Sequence, residues 1–409
     1  MTKTFIDLFA GCGGLSLGLK EAGWQGLFAV EKTPDAFKTL KHNLIDKNVV
    51  NPFNWPEWLP CEAMTTSTLL SDYKKQLSKL NRKVDLIAGG PPCQGFSFAG
   101  RRNPNDPRNK LTEEYIEIVK ILEPQYLLLE NVKGFNAAFT SDDGKKTKVY
   151  AQVVKEKLEK LGYKVSHKML NASDFGVPQP RARFIMIACK NPLENLSNPF
   201  DLMDSFLPEY RASKGLDPKK FTSVKEAISD LEIGRSKPID SEDTPHFKQI
   251  KYRSRNLSNY QKLMRLKCDD EYAPNSLRLA RHKDETLDRF KKILKSFPKG
   301  KSLSKADLLS LGTKKQCFTP LHPKMLSRTI TTLPDDLLHY SEPRILTVRE
   351  NARIQSFPDW FEFKAKYTTG GARRKEECPR YTQVGNAVPP LMAEALGETI
   401  LKWGDLSNV

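Results

Sequence analysis

The chain has 409 residues, 39% of them hydrophobic, and a formal net charge of +17, which indicates a globular protein of two domains that attracts polyanions. No apolar run is long enough for a membrane span and the first residues contain no signal-peptide h-region, so we expect neither membrane insertion nor secretion. Seven cysteines without a CxxC pair or a His-rich spacing argue against a disulfide framework and a zinc site, so we expect a reducing, cytoplasmic setting and no bound metal.

The first predicted unit is a strand, a glycine-rich turn and a helix. Residues 4–9 form a nearly continuous apolar strand, the turn at 10–14 is Ala-Gly-Cys-Gly-Gly, and a helix begins near Leu15. Glycines let a ligand approach the backbone closely, and a helix N-terminus offers unpaired N–H groups. The turn lacks the GxGxxG pattern, which disfavours a dinucleotide site. A second strand at 28–30 ends at Glu31, whose carboxylate can accept both hydroxyls of a ribose, so the two units predict a nucleoside pocket.

A rigid loop follows the apolar strand predicted at 84–88. It has the sequence Gly-Gly-Pro-Pro-Cys-Gln-Gly-Phe-Ser at 89–97, and its prolines hold Cys93 at a fixed place just beyond a strand end. Cys93 is therefore a candidate nucleophile, with a buried structural thiol as the alternative. The next segment, 99–109, combines glycine, proline, asparagine and arginine. It predicts either a lid that meets phosphate or a solvated loop.

Three more candidate site residues stand next to later strands. Residues 126–129 predict a buried strand that ends at Glu130. After Glu31 and Cys93, this is the third acid or thiol that follows an apolar strand. Arg181 and Arg183 alternate along an extended segment before the strand at 184–188, so both can face one side and donate to a planar carbonyl. The alternatives are a structural salt bridge for Glu130 and a solvated strand face for the two arginines.

The other predicted elements alternate between helix and strand, as in an open α/β sheet. Helices are predicted at 35–43, 71–80, 111–122 and 148–161, and a strand at 164–170. After Lys190 this alternation stops, which indicates a separate module. The α/β pattern returns late in the chain, with helices predicted at 347–357 and 391–403.

Positive charge concentrates inside that module. Residues 246–301 contain 16 Lys and Arg against 6 Asp and Glu, together with aromatic residues such as Phe247 and Tyr252. A basic stretch of this kind is typical of a nucleic-acid surface. The alternative is a solvated basic helix face.

Six segments, in this order along the chain, resemble the motifs of the DNA (cytosine-5) methyltransferases of bacterial restriction–modification systems. They are FIDLFAGCGG at 5–14, GPPCQGFS at 90–97, ENV at 130–132, QPRAR at 179–183, LTVRENARIQSFPD at 346–359 and QVGNAVPP at 383–390. The resemblance implies an α/β fold with a Rossmann-like, S-adenosylmethionine-dependent methyltransferase domain at 1–190, completed by 380–409. It also implies a second, smaller target-recognition DNA-binding domain at 191–379.

The resemblance implies a role for each motif. Cys93 attacks carbon 6 of a flipped cytosine, Glu130 contacts N3 and the exocyclic amine, and Arg183, supported by Arg181, contacts O2. The residues expected to bind S-adenosylmethionine are Phe9, Gly11, Gly13, Gly14, Leu15, Glu31, Pro91, Leu111, Asn386 and Ala387. The residues expected to contact DNA are Gln94, Ser97, Arg101, Arg102 and Arg108. One feature departs from the family: Glu62-Ala63-Met64-Thr65 stands where an Asp-Ile pair usually contacts the adenine.

The implied partner is double-stranded DNA, with a cognate restriction endonuclease as a potential second partner. The default expectation is a monomer in the bacterial cytoplasm, associated with the nucleoid. The nearest alternative is an RNA (tRNA) cytosine-5 methyltransferase, against which the large basic module and the GPPCQGFS form favour DNA. Two further alternatives are a binding protein with an inactive site and a thiol enzyme acting on a small nucleoside. The joint presence of Cys93, Glu130, Arg181 and Arg183 argues against the former, and the basic module against the latter.

Overall fold

A computed structural model of the chain describes residues 2–46, 49–92, 109–137, 149–190, 197–234, 237–253, 256–268, 272–313, 315, 317–368 and 377–406. The chain divides into two compact units. The first comprises residues 1–171, 182–207 and 392–409, and the second comprises residues 172–181 and 208–391. These limits differ from the predicted domain limits in three places. Residues 172–181 and 380–391 belong to the second unit, and the chain after 190 stays with the first unit up to 207.

The first unit is built on one six-stranded sheet. Its strands are β1 (Thr4–Leu8), β2 (Gln25–Val30), β3 (Leu86–Gly89), β4 (Tyr126–Asn131), β5 (Tyr163–Asn171) and β6 (Ala182–Lys190). They lie in the order β2-β1-β3-β4-β6-β5. Strands β1 to β4 are mutually parallel, and β6 runs antiparallel to both β4 and β5. The predicted α/β class is confirmed.

The central strands are apolar because both faces of the sheet are covered. All four residues of β3 are buried, as are Ile6, Leu8, Leu127 and Leu129. Those four side chains belong to a single hydrophobic core with residues of the covering helices.

The helices of the first unit include two short ones, at residues 66–72 and 74–78, where the sequence predicts a single helix. The helices are α1 (Gly14–Glu21), α2 (Pro34–Leu44), α3 (Thr66–Asp72), α4 (Lys74–Ser78), α5 (Asn109–Leu122), α6 (Tyr150–Glu159), the start of α7 (Pro199–Ser213), most of α14 (Pro390–Leu406) and a 3-10 turn at Lys133–Asn136. The single helix predicted at 71–80 is wrong. The chain is interrupted at Tyr73, whose φ of −120° and ψ of 14° are not helical. Helix α3 begins earlier than predicted because the side chain of Thr65 caps it by accepting a hydrogen bond from the N–H of Thr68.

The second unit consists of short elements. They are 3-10 turns at Ala172–Phe175 and Ser229–Leu231, the rest of α7, the helices α8 (Val224–Ile228), α9 (Asn259–Met264), α10 (Asp284–Ser296), α11 (Lys305–Ser310), α12 (Val348–Ile354) and α13 (Arg380–Asn386), and the strands β7 (Ile239–Asp240), β8 (Lys248–Gln249), β9 (Thr319–Pro320) and β10 (Leu337–Leu338). Helices α8, α9, α11 and α12 each begin with a capping box, which lets such short helices form. One hydrophobic cluster gathers Phe290, Ile293, Leu303, Leu308 and Phe318.

Helix α12 is charged and yet fully buried. Arg349, Glu350 and Arg353 are each 0% exposed. The Nε atom of Arg353 lies 2.6 Å from Oδ1 of Asp359, and its Nη2 lies 3.0 Å from Oδ2 of Asp230. Burial opposes the charge, but the two carboxylates hold the pKa of Arg353 above its ordinary value. The arginine and its two carboxylates therefore form a buried ionic core of the second unit.

Across the described residues, no helix combines the length and the apolar character needed to cross a membrane. Within the same residues, no group of three or more His, Cys, Asp or Glu side chains is placed to hold a metal ion.

Candidate active site

The carboxyl ends of β1 to β4 meet at one edge of the sheet. Leu8 is aligned with Val30 on one side and with Gly89 on the other, and Gly89 is aligned with Leu129. The next residue of each strand therefore stands in one row, which contains Glu31, Phe9, Gly90 and Glu130. Ligands bind at this edge in open α/β sheets. The register of the sheet thus brings together two acids and the start of the Cys93 loop.

The turn after β1 leaves its backbone open to a ligand. Phe9 has a φ of 62°, which is unusual for a bulky residue, and Gly13 has a φ of 95°. Apart from Gly11 and its two chain neighbours, no described residue has an atom within 4 Å of the position that a Cβ on Gly11 would take. The space in front of this glycine can therefore admit another molecule.

Glu31 fixes the same turn through both oxygens of its carboxylate. Its Oε2 accepts a hydrogen bond from the N–H of Gly11 at 3.0 Å, and its Oε1 accepts one from the N–H of Thr33 at 2.8 Å. The side chain is partly exposed, and each oxygen keeps a lone pair for a further donor. Met64 belongs to the segment that departs from the family pattern, and its N–H donates to the carbonyl oxygen of Glu31 at 2.9 Å.

A buried acid lies in β1 below this turn. Asp7 is 0% exposed, and its Oδ2 accepts a hydrogen bond from Oγ of Ser16 at 2.5 Å. The other oxygen has no hydrogen-bond partner among the described residues. Burial raises the pKa of Asp7 to about 7; the Ser16 hydrogen bond opposes this, and the nearby charge of Glu31 adds to it.

Glu130 and Arg183 form an ion pair at the end of β4. The Nε atom of Arg183 lies 2.6 Å from Oε1 of Glu130, and the two side chains are 13% and 14% exposed. The pair follows from the antiparallel register, because Glu130 is opposite Ile185 and Arg183 is therefore its diagonal neighbour on the same face. A hydrogen-bonding carboxyl group and a guanidinium are thus held side by side with part of each open to solvent.

The loop that carries Cys93 begins beside this pair. A Cβ on Gly90 would stand 3.0 Å from Oε2 of Glu130, so a side chain there would press on the carboxylate. Asn131 is 3% exposed, and its Nδ2 donates to the carbonyl oxygen of Pro91 at 3.0 Å. This hydrogen bond fixes the chain two residues before Cys93. Cys93 itself lies outside the described residues. So do the predicted DNA contacts, which are Gln94, Ser97, Arg101, Arg102 and Arg108.

Arg181 binds main-chain carbonyl groups of the second unit. It belongs to the second unit and is 3% exposed; its Nη1 donates to the carbonyl oxygen of Ile330 at 2.9 Å and its Nη2 to that of Gly385 at 2.6 Å. Arg183, by contrast, pairs with Glu130. The expectation that the two arginines face one side stays a prediction.

The segment before Arg181 is also tied into the second unit. Oε1 of Gln179 accepts a hydrogen bond from the N–H of Ile330 at 3.0 Å, and its Nε2 donates to the carbonyl oxygen of Ile354 at 2.9 Å. Close packing continues at Gly385, where a Cβ would overlap the carbonyl oxygen of Thr331. Gln179 and Arg181 therefore both bind the main chain at Ile330, and Arg181 also binds Gly385 of the QVGNAVPP motif.

The remaining predicted cofactor residues have these positions. Gly14 and Leu15 are buried in the first turn of α1, and Leu111 is half-buried in the first turn of α5. Asn386, the last residue of α13, is exposed and Ala387 is partly exposed.

Sequence reasoning missed the roles of Asp7 and Asn131. A visible signal for Asp7 was a carboxylate inside an otherwise apolar strand. Asn131 stands in the ENV motif, but its hydrogen bond to Pro91 joins residues 40 positions apart, which no local pattern reveals.

The parallel strands β1 to β4, the antiparallel β6 and the open glycine turn define the class of the fold as Rossmann-like. A protein from an Escherichia coli prophage, described as a DNA modification methyltransferase, matches with a TM-score of 0.66 at 23% identity and covers 99% of this chain and 100% of that chain. Dnmt2 of S. pombe matches with a TM-score of 0.51 at 16% identity, with 100% of both chains covered. At these identities, the likeness shows the fold.

The chain belongs to the family of C-5 cytosine-specific DNA methylases, whose model matches residues 3–402. It is 34% identical to the type II methyltransferase M.DdeI of Desulfomicrobium norvegicum, over 97% of this chain and 88% of that protein. It is 32% identical to the type II methyltransferase M1.HphI of Haemophilus parahaemolyticus, over 98% of this chain and 87% of that protein. The family predicted from the six motifs is confirmed, and the chain is a DNA (cytosine-5-)-methyltransferase.

Proposed function

We propose that this enzyme transfers a methyl group from S-adenosylmethionine to carbon 5 of a flipped cytosine in a specific double-stranded DNA sequence, and that Cys93 forms a covalent bond with carbon 6. The observation that carries the proposal is the ion pair of Glu130 and Arg183 beside the start of the Cys93 loop. One edge of a cytosine presents O2 and N3 next to each other. A guanidinium and a carboxyl group held side by side match that edge.

The residues account for the activation that the reaction requires. Carbon 5 of cytosine is a poor nucleophile until a thiolate adds to carbon 6, which is the role of Cys93. The addition places negative charge on N3 and O2. Glu130 supplies a proton or hydrogen bond at N3 and Arg183 donates to O2, so both stabilise that charge. Loss of the carbon 5 proton and departure of the thiol then restore the aromatic ring.

The open turn and Glu31 fit S-adenosylmethionine, which supplies an electrophilic methyl group when bound. The carboxylate of Glu31 is held by Gly11 and Thr33 and can accept hydrogen bonds from the ribose hydroxyls. The space before Gly11 admits the ligand next to the backbone. The family motifs add the other proposed contacts, which are Phe9, Gly13, Gly14, Leu15, Pro91, Leu111, Asn386 and Ala387.

We assign sequence recognition to the second unit. Gln94, Ser97, Arg101, Arg102 and Arg108 are proposed to contact DNA around the flipped base. Because the relatives are type II methyltransferases, we further propose that the enzyme protects DNA from a cognate endonuclease, as a monomer in the bacterial cytoplasm close to the nucleoid.

The proposal is tested by transfer of tritiated methyl groups from S-adenosylmethionine to duplex DNA and, in parallel, to total tRNA. The wild type should label duplex DNA. Cys93→Ala should give no label while still binding DNA, and Glu130→Gln should slow transfer by about 10²- to 10⁴-fold. Label in tRNA but not in DNA would contradict the proposal and favour the RNA substrate.

A further inference from the structure

We propose that a run of lysines in the second unit binds the sugar–phosphate backbone of DNA independently of sequence. The inference rests on the proposed function, in which duplex DNA is the substrate. We call this run the lysine segment; it comprises Lys291, Lys292, Lys295, Lys299, Lys301 and Lys305, on α10, on the following loop and at the start of α11.

Two arginines earlier in the basic stretch, Arg265 and Arg278, are engaged within the second unit. Arg265 pairs with Asp230 at 2.5 Å and stacks on the ring of Tyr252. Arg278 is half-buried, with its guanidinium carbon 3.7 Å from the ring centroid of Tyr367. These two arginines stabilise the fold. The positive charge of residues 246–301 is therefore not all available to a partner.

The lysine segment has the opposite character. Phe290 and Ile293 point into a hydrophobic cluster, as Leu303 does after the loop. Lys291, Lys292 and Lys295 lie on the exposed side of α10, at spacings of three and four residues that make them neighbours on a helix surface. Lys301 and Lys305 are exposed as well. The apolar side chains fix the segment while these five lysines stay in water; Lys299 is half-buried.

The charge of the lysine segment is not compensated locally. Residues 289–305 contain seven Lys and Arg and no Asp or Glu. In the described part of the chain, the ion pair that a lysine of the segment forms is Lys291 with Asp288 at 3.0 Å, between exposed side chains. An exposed pair of this kind is weak, so it leaves most of the positive field available to phosphates.

The helix macrodipole alone does not explain why the lysine segment is so positively charged. Lysine in the last turn of a helix is favoured by the macrodipole, which accounts for Lys295. The effect does not reach Lys301, beyond the helix end, and Lys305 stands at the start of the next helix, where a cation is disfavoured. Lys291 and Lys295 also repel each other at a spacing of four residues. A polyanionic partner removes both disadvantages.

The test measures how DNA affinity depends on salt. The full-length protein is titrated onto a fluorescent 30-base-pair duplex between about 50 and 300 mM KCl by anisotropy, with the slope of log K against log[salt] as the readout. The variant K292Q/K295Q/K301Q/K305Q is compared with K75Q/K79Q/K83Q/K160Q. The control removes the same charge from exposed lysines of the first unit, on α4, before β3 and after α6.

We expect the lysine-segment variant to lower the magnitude of the slope by about 3 to 4, and the single variant K295Q by about 0.9. The control variant should lower it by less than about 1. Methyl transfer at saturating DNA and low salt should stay within about twofold of the wild type, in an unchanged sequence context. Equal slopes for the two quadruple variants, with a wild type that binds and methylates DNA, would overturn the inference and leave the proposed function standing. A wild type that neither binds nor methylates duplex DNA would overturn the proposed function itself.

Discussion

At the scale of single residues, two kinds of charged group matter. The strands position the ion pair of Glu130 and Arg183, and burial raises the pKa of Asp7. Arg183 reaches Glu130 because both occupy the same face of an antiparallel pair, at a diagonal spacing. Asp7 points away from solvent and has a single hydrogen-bond donor, Ser16. Its carboxyl group therefore couples the stability of the first unit to pH.

The substitution Asp7→Asn tests that coupling. In an unfolded chain an aspartate has a pKa of about 4, whereas burial in the native state raises the pKa of Asp7 to about 7. The native state thus binds more protons between these values. The contribution of Asp7 to stability is complete below about pH 4 and is lost as pH rises to 7, at up to about 1.4 kcal/mol per pH unit.

The asparagine variant cannot titrate at this position. Thermal unfolding from pH 5 to pH 8 should therefore show its Tm improving relative to the wild type up to about pH 7 and levelling off above it. Asp72→Asn, at an exposed aspartate, should show no such trend. A constant difference between Asp7→Asn and the wild type across this range would contradict the assignment.

At the scale of elements, the end of β4 determines where the Cys93 loop begins. Asn131 donates to the carbonyl oxygen of Pro91 and accepts from the N–H of Val132 at 2.8 Å. We expect Asn131→Ala to lower kcat by about 10- to 100-fold, because small displacements of a nucleophile are costly. DNA affinity should change much less than kcat, since the second unit, to which we assign sequence recognition, is unaltered.

The matched control is Asn81→Ala, which removes an exposed amide that also donates to a carbonyl oxygen, that of Ile121 at 2.8 Å. It should leave kcat unchanged. Equal kcat values for Asn131→Ala and the wild type would show that the hydrogen bond does not position the loop.

Helix α12 provides the second prediction at this scale. Arg353→Met leaves Asp359 and Asp230 buried next to an apolar side chain, although Arg265 still contacts Asp230. Removing one member of a buried ion pair costs about 3 to 5 kcal/mol, so the Tm should fall sharply. Arg328→Met, at an exposed arginine, should change stability by less than about 0.5 kcal/mol. A Tm for Arg353→Met equal to that of the control would contradict the structural role of this network.

At the scale of the whole molecule, local patterns predicted the first unit well and the second unit poorly. Strand–turn–helix order and strand-end residues are local features, so Glu31 and Glu130 could be placed at the sheet edge from sequence. Contacts between distant residues could not be placed. Arg181, for example, binds the carbonyl oxygens of Ile330 and Gly385, 149 and 204 positions away.

Composition likewise could not separate the arginines that stabilise the second unit from the lysines that face solvent. Arg265 and Lys295 contribute equally to the net charge. Only tertiary packing puts Arg265 against Asp230 and Tyr252 and leaves Lys295 exposed.

The most direct measurement of the central claim is bisulfite sequencing of plasmid DNA from bacteria that express the chain, beside cells that express Cys93→Ala. We predict methylated cytosines in one recurring short sequence context with the wild type and none with the variant, because the thiol of Cys93 is needed to activate carbon 5. Absence of methylation with a soluble wild-type protein, or methylation that persists in Cys93→Ala, would contradict the account.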